Sequence, residues 1–110
     1  MDKDYELELI RKTISKLCFD FNFTSFSLVA LESNYTKEQT EQIEFLINDC
    51  VRKRNDISKQ EFKKEIETIL NKQFVDYAPI NRILEGFRSD YKMGADGLMY
   101  KFVDRLLNMD

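Results

Sequence analysis

At 110 residues, 43% hydrophobic and 34% charged, the chain has enough apolar material for one buried core and too much charge for a membrane protein. It contains no histidine, which removes a required member from Ser-His-Asp and Cys-His nucleophile systems, from His-based acid–base shuttles and from the usual zinc hydrolase sites. A net charge of −3 gives no overall pull toward nucleic acid or anionic lipid, and three glycines with one proline are too few for the turns of an all-β fold.

The chain starts Met1-Asp2-Lys3-Asp4-Tyr5-Glu6, an acidic opening without the apolar stretch of a signal peptide, so a cytoplasmic setting is expected. A first helix is predicted from Asp2 to Phe19. Leu7, Ile10, Ile14, Leu17 and Phe21 recur at three- and four-residue steps and share one face. Acidic residues lead this helix and basic residues follow, as the macrodipole favours.

Phe19, Phe21 and Phe23 then alternate at period two, with Phe26 out of phase. Without a second strand candidate, the stretch from Asn22 to Ser25 reads as a break. Thr24 or Ser25 would cap a short helix covering Phe26 to Ser33, with Asn34 as its stop. Thr36-Lys37-Glu38-Gln39 is a capping box preceded by Tyr35, half of a hydrophobic staple. The helix it opens carries Ile43, Leu46, Ile47, Cys50 and Val51 on one stripe and is expected to reach Arg54.

Ser58-Lys59-Gln60-Glu61 is a second capping box, and Phe62, Ile66, Ile69 and Leu70 continue its helix to Asn71. Asp76 or a neighbour begins another, fixed by Pro79, which is tolerated only in a first turn. Its apolar face is Ile80, Ile83, Leu84, Phe87 and Tyr91. After Gly94-Ala95-Asp96-Gly97, Asp96 is expected to cap a last helix whose inner face is Met99, Phe102, Val103, Leu106 and Leu107. The expected architecture is a single all-α domain over residues 1–110, a compact bundle of five or six helices.

Few residues carry candidate chemistry. Glu38, Glu41 and Glu44 lie three apart on one helix, but carboxylate bundles that hold iron add a Glu-x-x-His motif, and no calcium-loop pattern is present. Asp90, Asp96 and Asp104 flank a glycine loop that lacks the GxxxxGK[ST] phosphate cradle. Cys18 and Cys50 form no CxxC and read as small buried hydrophobes in a reducing compartment. No catalytic residue, cofactor or metal is expected.

Two segments suggest binding. Arg52, Lys53 and Arg54, with Lys59, Lys63 and Lys64 across a short turn, have the layout of a basic helix-turn-helix; Glu61, Glu65 and Glu67 dilute it. Phe19, Phe21, Phe23 and Phe26 either wrap into the core together or leave two or three rings outside as an apolar patch of interface size.

Phe26-Ser27-Leu28-Val29, the Tyr35-Thr36-Lys37-Glu38-Gln39 opening, Ile69-Leu70-Asn71 and Ile83-Leu84 together resemble a YhaI-like family of small helical proteins from Bacillus and its relatives. The resemblance implies an all-α fold and a Firmicutes-type cytoplasmic setting. The family has no established activity, so no functional residue is carried over.

The expected function is therefore non-enzymatic protein binding, most concretely homo-oligomerisation through an aromatic and aliphatic surface. A small inhibitor or immunity-type protein belongs to the same class. The alternative class is a nucleic-acid-binding regulator using the basic segment.

Overall fold

A computed structural model describes residues 2–91 and 97–109. Six α-helices follow one another in it: α1 (Lys3–Asp20), α2 (Phe26–Ser33), α3 (Lys37–Arg52), α4 (Lys59–Leu70), α5 (Ala78–Asp90) and α6 (Leu98–Leu107), with no strand among the described residues. The all-α expectation holds.

Local chemistry sets the helix starts. The Ser25 hydroxyl accepts the Leu28 N–H at 3.1 Å and opens α2. Both capping boxes close reciprocally. Thr36 Oγ1 accepts from the Gln39 N–H at 3.1 Å while Gln39 Oε1 accepts from the Thr36 N–H at 2.9 Å. Ser58 and Glu61 repeat the exchange at 3.1 and 3.4 Å. The α5 start falls where Asp76 or a neighbour was expected: Tyr77 stands at the cap, and Asp76 accepts from the Ala78 N–H at 2.9 Å. The α6 start differs. Gly97 stands at the cap of α6. The proposed cap Asp96, with Gly94 and Ala95, lies outside the described residues.

Four helices close in one way. The N–H of Phe23, Tyr35, Asn55 and Lys72 bonds back five residues, to the carbonyls of Cys18, Ala30, Cys50 and Glu67. The residue before each donor, Asn22, Asn34, Arg54 and Asn71, is left-handed. Asparagine tolerates that region better than other side-chain-bearing residues, so a chain poor in glycine uses it as the stop. Arg54 is the exception and holds the position at some steric cost.

The core runs through α2 to α6. Ile43, Ile47, Phe62, Ile66, Ile80, Ile83, Leu84, Val103 and Leu106 are the most deeply buried large side chains. The central helix is α5, packed against α2 on one side and α6 on the other. Arg88 of α5 pairs with Asp104 of α6 at 3.2 Å. Lys59 lies in this core with its ammonium donating to the Met109 carbonyl at 3.2 Å and standing 5.0 Å over the Tyr77 ring. Its stem supplies packing and its head is met by an acceptor and a π-face.

The α2–α5 contact is unusually close. A Cβ at Gly86 would lie 2.8 Å from both the backbone nitrogen and Cα of Phe26. Those are backbone atoms at a helix start and cannot swing aside. Gly86→Ala is therefore expected to destabilise by about 1–3 kcal/mol, overpacking outweighing the roughly 1 kcal/mol that alanine gains as a helix former. A urea melt showing equal or greater stability would contradict this contact.

At the same junction the Phe26 N–H donates to Asp90 Oδ2 at 3.2 Å. Burial pushes the Asp90 carboxyl above its ordinary value, and the Phe26 hydrogen bond pulls it partly back. The folded state then holds the proton more tightly than the unfolded one. Asp90's contribution is complete below the ordinary aspartate pKa and is lost as pH rises through the raised value. Asp90→Asn, which keeps an acceptor oxygen, is expected to remove that slope from stability measured between about pH 3 and 7. Asp90→Ala leaves the N–H unmet and costs about 1 kcal/mol. Identical pH profiles for wild type and Asp90→Asn would refute the assignment.

Candidate functional site

The first helix departs most from expectation. Its apolar stripe reads like the inner face of a core helix, yet α1 buries no residue. Leu7 is 63% exposed, Ile10 49%, Ile14 42%, Leu17 51% and Phe21 78%. With 18 residues, α1 is about 27 Å long. Its neighbour α2 has only 8 residues and stands on its own apolar contacts with α5. There is too little α2 to cover α1, so the helix projects. The body measures 49 Å along its longest axis, and its radius of gyration of 14.8 Å exceeds the roughly 13 Å of a close-packed chain near this size.

One side-chain bond ties the shaft of α1 to the body among the described residues: the Arg11 guanidinium donates to the Glu32 carbonyl at 3.0 Å. The Glu32 carboxylate in turn pairs with Arg82 of α5 at 3.2 Å. Between α1 and the end of α2 lies an open groove of about 1050 Å³, walled by Leu7, Ile10 and Ile14 on one side and Leu31 on the other. Charged side chains, Asp4, Glu8 and Lys12, rim it. An apolar floor with a charged rim is the anatomy of a surface that receives another helix.

The four phenylalanines divide. Phe26 is a correction to the expected patch: it is 4% exposed and stacks on Phe87 with ring centroids 4.3 Å apart. Because Ser25 starts α2, Phe26 falls on the first inward position of that helix. Phe19, Phe21 and Phe23 remain exposed. Phe19 and Phe21 are two residues apart, about 200° around a helix, so they leave α1 on opposite sides. Phe21 continues the Leu7–Leu17 stripe and Phe19 does not.

The basic segment is largely engaged within the chain. Arg52 and Lys53 both pair with Asp49, at 2.7 and 3.3 Å, and the Arg52 contact holds the Asp49 carboxyl below its ordinary range. Lys63 pairs with Glu67 at 3.8 Å, and Lys59 is buried. Arg54 and Lys64 are the two of the six left facing solvent without an ion pair among the described residues. Arg52 and Lys53 stay largely exposed within their pairs, so Asp49 offsets charge that still faces solvent.

No three carboxylate or thiol side chains converge among the described residues. Glu38, Glu41 and Glu44 all face solvent. Both cysteines are free thiols. Cys18 is half-buried rather than buried, and burial pushes the Cys50 thiol up, away from nucleophilic reactivity. No helix among the described residues is long and apolar enough to cross a membrane.

Periodicity alone does not separate a stripe facing its own core from one facing a neighbour, so the shared face of α1 left open what it meets. A secondary signal was present. Tyr5, Leu9 and Phe19 add apolar side chains off the stripe, more than a helix against a small core requires. No protein-family model, curated protein or solved structure matches the chain, so the functional reading rests on this geometry.

Proposed function

We propose that the protein is a non-enzymatic protein–protein interaction module that self-associates through the apolar face of α1. The observation that carries this reading is a helix of 18 residues without a single buried side chain. Helices gain most of their stability in water from packing an amphipathic face, so a long helix with its stripe uncovered is at its weakest alone. The largest apolar patch on an ordinary monomer is about 300–600 Å². Phe21 alone supplies a large part of that at roughly 150–250 Å² per ring, before Leu7, Ile10, Ile14 and Leu17 are added.

Homodimerisation is the most economical version, since one surface then serves both partners. The nucleic-acid alternative has less support, because Lys59 is buried and Arg52, Lys53 and Lys63 each already face a carboxylate of the same chain. Sedimentation velocity over a hundredfold dilution series tests the reading. A mass that doubles with concentration is expected; a monomer throughout would overturn it.

A further inference from the structure

We infer that the surface covering α1 is the α1 of a second copy, lying antiparallel to it about a two-fold axis near residue 12; this rests on the self-association proposed above. Three features of the helix carry the inference. The first is spacing. Leu7, Ile10, Ile14, Leu17 and Phe21 follow at steps of 3, 4, 3 and 4, the alternation of a coiled-coil seam rather than of a broad core face. A seam of this kind is complementary to another helix of the same kind.

The second is charge. Residues 2–9 carry four acidic side chains against one basic; residues 10–19 carry three basic and no acidic ones. Two copies side by side in the same direction set like halves together. Two copies in opposite directions set each acidic half along a basic half, and also oppose the helix dipoles. The remaining like-charge meeting, Arg11 with its own mate near the axis, is relieved because Arg11 is drawn aside to the Glu32 carbonyl.

The third is register. With the axis at residue 12, Leu7 of one copy meets Leu17 of the other, and Ile10 meets Ile14. Four of the five seam positions are then apolar on apolar, and Phe21, at the C-cap of α1, falls level with the aliphatic stem of Lys3 in the other copy. The groove beside α2 stays open along Leu7, Ile10 and Ile14, so the seam is reachable by an incoming helix.

The test is inter-copy distance. By helical geometry the backbone positions of Lys12 and Phe19 stand about 180° and 160° around α1 from the centre of the seam, so a short label there leaves the pairing intact, although the long Lys12 side chain itself reaches the groove rim. Each is replaced in turn, as Lys12→Cys or Phe19→Cys, in a Cys18→Ser background, with Cys50 protected by burial. Nitroxide labels are read by pulsed electron resonance. In the antiparallel pair, labels at position 12 lie level across the axis, whereas labels at position 19 are offset along it by about 21 Å. The distance at 19 is therefore expected to exceed that at 12. A dimer with equal distances at both positions, or with no inter-copy coupling at either, would overturn the antiparallel pairing and leave self-association standing. A protein that remains monomeric at every concentration would overturn the broader reading instead.

Discussion

Replacing Ile10 and Ile14 together by glutamate is expected to abolish self-association while leaving the helical body intact. In the proposed pair these positions meet across the two-fold axis, so the double variant places four carboxylates in the apolar seam. Burying charge without a partner costs several kcal/mol, and the four also repel one another. A rise in the dimer dissociation constant of at least about 100-fold follows, equivalent to roughly 2.7 kcal/mol. Both positions are exposed in the subunit, and glutamate is a better helix former than isoleucine. The concentration-independent stability of α2 to α6 is therefore expected to move by no more than about 0.5 kcal/mol. Sedimentation and a urea melt on the same preparation read the two effects separately. Loss of the body's cooperative unfolding would mean that α1 packs into the core after all.

Phe62→Ala tests the other half of the architecture. Phe62 is fully buried on α4, and truncating a core phenylalanine costs about 3–5 kcal/mol through lost transfer and a residual cavity. A domain of this size holds only about 5–15 kcal/mol in total, so the variant sits near the edge of folding. Its melting temperature is expected to fall by roughly 12–40 °C, at 4–8 °C per kcal/mol. The same truncation at Phe21 is expected to leave a dilute sample's melting temperature within a few degrees of wild type and to weaken association instead. Two phenylalanines with one substitution thus give opposite readouts. Equal losses at both would collapse the distinction between core and docking face.

Much of the fold was legible because its boundaries are written in local hydrogen-bond chemistry. Thr36 with Gln39 and Ser58 with Glu61 define helix starts by side chains that reach only three residues, and Ser25 and Asn34 bracket α2 in the same short-range way. The α5 start was legible from Pro79, but which residue near Asp76 caps it was not, since Tyr77 makes no side-chain cap bond. Lys59 was read as a surface charge. Its burial depends on the Met109 carbonyl and the Tyr77 ring, contacts that no local pattern announces.

The exposed aromatic surface was legible in part: Phe19, Phe21 and Phe23 are outside and Phe26 is not. The aromatic run suggested an exposed apolar patch between Phe19 and Phe26. The starting point of α2 turns Phe26 inward against Gly86 and Phe87, and helical geometry separates Phe19 from Phe21. The exposed apolar surface extends instead along the Leu7–Phe21 stripe of α1, whose shared face was legible but not what it meets. What a stripe faces is decided by how much partner surface the rest of the chain can offer, and α2, at 8 residues, offers little.

Amide hydrogen exchange measured at several protein concentrations asks most directly whether α1 waits for a second copy. Protection between Leu7 and Leu17 is expected to grow as concentration rises and to fade on dilution, while that of Ile80 to Phe87 in α5 stays constant. Protection in α1 that matched α5 and ignored concentration would show that this helix is covered by its own subunit, and the account would fail.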